Sequence, residues 1–471
     1  MERTASRIAE KVKGAKDVLV LAHIDADGIA AGSIAGKALE RAGKDYSVRF
    51  LKSLDDEAMR AVKDENPSLA WFVDLGSAEA NSMDGLDAVI TDHHIPAGGR
   101  ARPKKSLDLM QFIESPGDGP LMLNPHQFGM NGDNDLSGSG ATYFAARAMD
   151  ASNRDLACLA IVGAVGDLQD AQHRRLVGAN RQVIEDGLRA GVLETDFDLR
   201  FFGRETRPLM KLLQYANDPP LPGLADDEEA CYNFLNELNI TIVEGEHWRV
   251  WSDLTRPEKK LIISALVEHV LSSGFGHKNA ERLVGEVYML KKEKGVLRDA
   301  KEFSTLLNSC GRYDKAGVGF SVCMGDREQD LERALALLRG HRENIVASMK
   351  FINDEGLKEL EYLQYFHGKD KIIDTVVGVM AGMVLNSGSA NRELPIFAFA
   401  NSEDGIKVSA RATRELVDKG LDLSEVMRKA GQEVGGKGGG HNIAAGATIP
   451  VGKEEEFLKA AEKIIKAQMR N

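Results

Sequence analysis

Apolar residues in the first part of the chain fall into short unbroken runs, and each run stops at a polar turn. Val18 to Ala22 is one such run, and residues 69–75, 88–91 and 121–124 are others, with 46–51 a further strand candidate. Unbroken apolar runs of this length mark strands covered on both faces, as in a parallel sheet. Small residues at helical spacing lie between them, first over 29–39, and residues 1–15 read as an amphipathic helix leading into the first strand. Strand and helix are expected to alternate to about residue 195, which predicts an α/β fold with an N-terminal doubly wound parallel sheet. A polar loop containing Gly and Pro is expected over 96–120.

The pattern then changes. From 196 to about 305 the apolar spacing becomes helical, as over 261–271 and 280–290, and predicts a mainly helical insertion domain. Phe201 and Phe202 beside Arg204 and Arg207 suit either a core or a contact with single-stranded nucleic acid by charge and stacking. Residues 217–229 read as a Pro-rich linker and a helix start. Residues 306–365 form a return segment with a long connecting helix over 327–350, charged on its solvated face. A smaller C-terminal α/β unit follows over 366–471. Its expected parts are a helix at 374–385, a strand at 394–400, a hairpin turn at Asp404-Gly405 and a strand at 406–411. A helix at 422–434, a glycine-rich loop at 435–440, a strand at 445–449 and a final helix from Glu454 complete it.

Composition narrows the class. At 471 residues the chain should divide into two or three domains. No apolar run reaches the length of a membrane span, and the start, Met1-Glu-Arg-Thr, lacks the apolar core of a signal sequence. A cytoplasmic protein without a membrane partner is expected. Cys158, Cys231, Cys310 and Cys323 are widely spaced, as free thiols in a reducing compartment would be. The net charge of −12 argues against broad duplex binding, while bound cations in a narrow groove would supply local positive charge.

Candidate chemistry gathers where the runs stop. His23, Asp25, Asp27 and Gly28 follow the first strand, Asp74 a later one, and Asp92, His93 and His94 the next. Asp167 follows the apolar run 161–166, with Asp170 just beyond. Ligands of open α/β sheets sit at the carboxyl ends of the strands. Oxygen and imidazole donors without thiolates suit Mn²⁺ or Mg²⁺ better than structural Zn²⁺. Ser137 or Ser139 could cap the helix holding residues 142–149, or its N-terminus could accept a phosphate.

His23-Ile-Asp25-Ala-Asp27-Gly28, Asp74, Asp92-His93-His94 and Gly166-Asp167 resemble the four motifs of the DHH phosphoesterase superfamily. Gly435-Gly-Lys-Gly-Gly-Gly440-His441 resembles the glycine-rich motif of its DHHA1 companion domain. Order and spacing are most similar to the archaeal RecJ-like nucleases, relatives of RecJ and of the replication factor Cdc45. The resemblance implies a DHH domain at 1–195, a helical insertion at 196–305, a return segment at 306–365 and a DHHA1 domain at 366–471. It implies two Mn²⁺ (or Mg²⁺) ions, one on His23, Asp25 and Asp74, the other on Asp27, Asp74, His93 and Asp167, with Asp74 as the bridge. Asp92 would orient His93, His94 would face the scissile phosphate or leaving oxygen, and Asp170 would be a surface or capping acid. Ser409, Arg411, Lys437, Gly438, Gly439, Gly440 and His441 would bind substrate, the glycine amides forming an anion nest. Arg312, in the element Asn308-x-x-Gly311-Arg312, would either bind a substrate phosphate or tie its turn to a carboxylate.

The implied activity is an exonuclease that hydrolyses single-stranded DNA or RNA from an end, in replication or repair, with a GINS-like replisome partner. The alternatives are a phosphodiesterase of short RNA or cyclic dinucleotides and a Cdc45-like scaffold. Loss of ligands would mark the scaffold, and all six are present.

Overall fold

The computed structural model describes residues 1–97, 119–216, 218–219, 221–387 and 390–469. Most of the loop expected over 96–120, and Asn217 and Pro220 of the expected linker, lie outside the described residues. The chain forms two compact units, Met1–Leu338 and Arg339–Asn471.

The first unit opens with α1 (Glu2–Gly14), β1 (Asp17–His23), α2 (Ala26–Arg41), β2 (Asp45–Leu51), α3 (Asp56–Glu65), β3 (Ala70–Val73), β4 (Ala88–Thr91) and β5 (Leu121–Leu123). The strands form one parallel sheet in the order β2-β1-β3-β4-β5. Alternate side chains go to opposite faces. Val18, Val20, Trp71 and Val73 join Ile8 and Val12 of α1 and Ile29 and Ile34 of α2 in one core. Leu19, Leu21, Phe72 and Ile90 join Met59 and Val62 of α3 in a second. Both faces are covered, so the strands read as unbroken apolar runs, and the doubly wound sheet is as expected. The chain leaves β1 for β2 on one side and reaches β3 on the other, so a crevice opens at the carboxyl ends of β1 and β3.

Alternation was expected to about residue 195, but it stops at β5. Three helices follow: α4 (Gly138–Met149), α5 (Ala157–Gly166) and α6 (Asn180–Arg189). Eight of the ten residues of α5 are buried, so it is apolar all round and carries no amphipathic signature.

Next come β6 (Leu193–Leu199), α7 (Leu209–Gln214), α8 (Glu228–Glu237), β7 (Val243–Glu244), β8 (His247–Trp248), α9 (Arg256–Ser272), α10 (Gly276–Arg282) and β9 (Val284–Leu290). The helices have a core of their own, which includes Leu213, Leu235, Trp251, Ile262 and Leu266. The helical spacing read over 280–290 fails from residue 284, where β9 begins and pairs antiparallel with β6. Val284, Val287, Tyr288 and Leu290 fit a helical face, yet the β-preferring Val and Tyr side chains have a partner strand here, which decides the matter. Phe201 is core. Arg204 is buried in an ion pair with Asp299, to which its Nε donates at 2.9 Å. Arg207 lies over the Phe202 ring, 4.8 Å from its centroid.

The chain returns to the first core through α11 (Ala300–Arg312), α12 (Ala316–Met324) and the long α13 (Gln329–Glu355). Phe303, Leu306, Leu307 and Cys310 of α11 are all buried in it.

The second unit continues with β10 (Lys358–Glu359), β11 (Gln364–His367), α14 (Asp374–Asn386), β12 (Ile396–Ser402), β13 (Gly405–Arg411), α15 (Arg414–Asp418), α16 (Leu423–Glu433), β14 (Lys437–Gly440), β15 (Ala444–Ile449) and α17 (Glu454–Gln468). Its mixed sheet has the order β10-β11-β12-β13-β15-β14. The Asp404-Gly405 hairpin is as expected, with Ser402 opposite Gly405. The glycine-rich segment is not a loop: 437–440 is β14, antiparallel to β15 at the sheet edge. Gly438 serves packing, since a β-carbon there would collide with the Met427 carbonyl of α16, while a β-carbon on Gly439 would meet nothing. An extended strand is not a concave nest, and the amides of Gly435 and Gly436 before it are already bonded to the Gln432 and Gly431 carbonyls.

Phe72→Ala opens a cavity in the smaller face of the first sheet, next to the β3 carboxyl end. It is expected to cost about 3–5 kcal/mol in a urea titration.

Candidate metal centre

Four strand or helix ends converge on one cluster. β1 ends in His23, and the turn after it places Asp25 as the N-cap of α2 and Asp27 in its first turn. Asp25 Oδ1 accepts from Gly28 N at 3.0 Å, which leaves Oδ2 facing His23 Nδ1 at 3.0 Å. Asp74 follows β3, Asp92 and His93 follow β4, and Asp167 ends α5.

Asp74 lies at the centre. Its carboxylate stands 3.6 Å from His23 Nδ1 through Oδ2 and 3.3 Å from His93 Nε2 through Oδ1. On the far side, His93 Nε2 is 3.9 Å from Asp27 Oδ2 and 3.6 Å from Asp167 Oδ2. Donor atoms of His23, Asp25 and Asp74 therefore form one compact group, and those of Asp27, His93 and Asp167 a second. All six residues expected as ligands are brought together.

The fit to divalent cations rests on what these groups lack. Asp74 is 1% exposed, yet neither carboxylate oxygen has a hydrogen-bond partner, and His23 Nδ1 has none either. A buried unpaired carboxylate is costly, and cations are the natural partners for it. The Asp74 backbone is also held at φ +59, in the left-handed region that non-glycine residues avoid. A β-carbon on Gly138 would collide with the Asp74 carboxylate, so glycine is required beside it.

Burial and the charge of Asp74 hold the Asp27 carboxyl well above the usual carboxylate range. Burial pushes Asp167 up to about 6. Burial opposes the protons of His23 and His93, but the surrounding carboxylates outweigh it and raise both. Without cations, the cluster therefore holds protons in their place.

Neighbouring groups fix the donors in orientation. Asp27 accepts from Gly138 N at 2.7 Å and Ser139 N at 3.1 Å, and from the Ser139 hydroxyl. The N-terminus of α4, which could have met a phosphate, thus already holds an anion of the chain itself, while Ser137 caps the helix. Asp92 was expected to orient the His93 ring; it orients His94 instead, 2.8 Å from its Nδ1, and meets His93 only at the backbone amide. The His93 ring is held by the Gly132 carbonyl, 2.8 Å from Nδ1. Gln169 shares that carbonyl at 2.7 Å and is itself fixed by Asn180. The roles of Gly132 and Gln169 were missed, Ser139 was read only as a helix cap or phosphate contact and Asn308 only as part of the element before Arg312, because polar groups that orient ligands from distant loops leave no local pattern. Asp170 is no surface acid: it is buried and paired with Arg200.

His94 is half-exposed, and its partner Asp92 is fully buried. Burial opposes the His94 charge, but Asp92 outweighs it and lifts the imidazole to about 9. Burial opposes the Asp92 charge as well, but His94 outweighs it and holds that carboxyl below the usual range. In the metal-free protein the imidazolium is therefore the favoured form of His94 at neutral pH.

Arg312 ends α11 beside Asp25. In the second unit, Ser409, Gly446 and Gly439 stand opposite one another across β13, β15 and β14, with Ser409 buried beside Gly378 of α14. Arg411, two residues on, reaches Gly378 of α14, whose β-carbon would lie 2.9 Å from Nη2. Lys437 is the first residue of β14 and His441 follows its last, with His441 N donating to Ala444 O at 2.8 Å.

Comparison with known proteins fits this arrangement. Residues 201–284 match the DHH-CID domain and residues 362–467 the DHHA1 domain. The chain thus carries the DHH-CID and DHHA1 domains, and its fold is RecJ-like. It is 29% identical over 476 aligned residues to the uncharacterized protein MJ0831 of Methanocaldococcus jannaschii, covering 100% of this chain and 98% of that one. In structure it is similar to RecJ in complex with Mn²⁺ from Thermus thermophilus, with a TM-score of 0.58 and 16% identity, covering 99% of this chain. The chain spans about half of that RecJ, 54% of its length. It is also similar to CDC45 from Entamoeba histolytica, with a TM-score of 0.62 and 11% identity, covering 98% of this chain and 97% of that one. Among the described residues no helix is long and apolar enough to cross a membrane.

Two measurements follow. Asp74→Asn removes the carboxylate that stands between the two donor groups, so the rise in melting temperature that Mn²⁺ gives the wild type should be lost. The His94 ring proton should titrate near pH 9 by NMR in metal-free protein, and below the ordinary histidine value in Asp92→Asn. The pair's contribution to stability is full below the ordinary histidine pKa and is lost as pH rises through about 9. At the acid end it is lost as Asp92 takes up its proton, below the usual carboxylate range.

Proposed function

We propose that the protein is a divalent-metal-dependent phosphodiesterase that degrades single-stranded DNA or RNA from an end. The observation that carries this reading is the buried Asp74 carboxylate, with no hydrogen-bond partner at either oxygen, between two groups of His and Asp donors. His23, Asp25 and Asp74 would hold one cation, and Asp27, Asp74, His93 and Asp167 the other. Four carboxylates balance the charge of two divalent cations. Mn²⁺ or Mg²⁺ suits such hard oxygen and imidazole donors.

When bound, the cations would neutralise the phosphate oxygens and supply an ionised water at neutral pH. The chain's own groups do the rest. Asp92 keeps His94 charged, so that its exposed edge can donate a proton to a non-bridging or leaving oxygen. Arg312 adds a positive charge beside Asp25, suited to a flanking phosphate. Ser409, Arg411, Lys437, Gly438, Gly439, Gly440 and His441 of the second unit would receive the strand end. The glycines act there as a flat strip that admits a sugar or base, in place of an anion nest.

A second reading is favoured by the CDC45 likeness, at TM-score 0.62, and by the DHH-CID segment: a replisome scaffold with a GINS-like partner. The intact donor set speaks for hydrolysis, and the two roles are compatible. A phosphodiesterase of short RNA or cyclic dinucleotides shares the same donors and is distinguished by substrate length.

The test is digestion of end-labelled single-stranded DNA and RNA with Mn²⁺, beside Asp74→Ala. A ladder or mononucleotide product that falls at least about 100-fold in the variant is expected. Cleavage of dinucleotides alone would move the protein to the small-substrate class, and silence on every substrate would leave the scaffold.

A further inference from the structure

The turn between β1 and α2 carries Asp25 and Asp27, and a helix almost three hundred residues later holds it in place. Ala26 is the first residue of α2, and its amide is one of the four that a helix leaves unpaired. Asp25 caps the helix itself, through its side chain at Gly28 N and its carbonyl at Ile29 N. The Ala26 amide goes elsewhere: it donates to Asn308 Oδ1 of α11 at 3.0 Å, across 282 positions. One turn further on, a β-carbon on Gly311 would collide with the Ile24 carbonyl oxygen, so α11 rests directly on the turn.

The seat of α11 does not depend on Asn308. Phe303, Leu306, Leu307 and Cys310 anchor it in the core, while Asn308 is only half-buried. Its first turn is gripped by the stretch that opens the DHH-CID segment: Arg204 binds Asp299, Glu205 N donates to Glu302 at 2.7 Å, and the Thr206 hydroxyl bonds Glu302. The helix is a fixed strut, and Asn308 is the side chain through which it takes hold of the metal turn.

We propose that Asn308 is a positioning residue for the metal centre. By tying down the first amide of α2 it holds Asp25 and Asp27 within reach of Asp74 against their mutual repulsion. The inference rests on the metal reading above. Without the bond the turn relaxes away from Asp74, and the cations lose part of a preformed donor set.

The test uses the full chain as wild type, Asn308→Ala and Asn308→Asp. Mn²⁺ affinity is read by calorimetry, and melting is followed by circular dichroism in EDTA. Asn308→Ala should melt as wild type does in EDTA yet bind Mn²⁺ roughly 10-fold more weakly, in line with losses from removing a group that orients ligands. Asn308→Asp keeps an acceptor oxygen opposite Ala26 N and should stay near wild type. Equal affinity in wild type and Asn308→Ala overturns the proposal, as does an Asn308→Asp variant as weak as Asn308→Ala. Loss of cooperative melting in Asn308→Ala also overturns it, by making Asn308 a folding residue. Failure of wild type to bind Mn²⁺ is a separate outcome and removes the metal reading itself.

Discussion

Carboxylates brought side by side repel one another, and burial sharpens the repulsion because water no longer screens it. The first unit brings four together, Asp25, Asp27, Asp74 and Asp167, and gives Asp74 no hydrogen bond at either oxygen. Much of the surrounding structure works against that repulsion. The amides of Gly138 and Ser139 take the charge of Asp27, Gly28 N takes one oxygen of Asp25, and Asp74 is held in a backbone conformation it would not choose alone. Packing of this cost persists where a bound group compensates for it. Cations between the donors are such a group.

The sheet makes the convergence possible. Its order places β1 and β3 side by side with their carboxyl ends open, and β4 beyond. A residue just past each strand end then faces the same crevice. The ligands are thus far apart in the chain, from 23 to 167, and close in space because the crossover connections return every strand in the same direction.

This geometry explains what could be read from the sequence. His23, Asp25, Asp27, Asp74, His93 and Asp167 each follow an apolar run, a local signal that survives without coordinates. The hairpin at Asp404-Gly405 was legible for a similar reason, since its turn chemistry is carried by adjacent residues. Groups that work across long separations were hidden. Gly132 holds His93 and Gln169 is fixed by Asn180, with no neighbour in sequence to betray either, and the element around Asn308 gave no sign of its bond to Ala26. Two elements were misread because their spacing suits more than one structure. Val284 to Leu290 has apolar positions compatible with a helix, but β6 supplies an edge to pair with. The glycines of 437–440 suggested a loop, but they form a strand whose missing side chains let α16 lie close.

The most direct test of cations gathered at Asp74 is anomalous diffraction at the manganese edge from crystals grown with Mn²⁺. Two peaks are predicted, one beside His23 and Asp25 and the other beside Asp27, His93 and Asp167, with the Asp74 carboxylate between them. No peak within coordination distance of Asp74, with Mn²⁺ bound elsewhere or not at all, would contradict the metal centre and the hydrolytic function built on it.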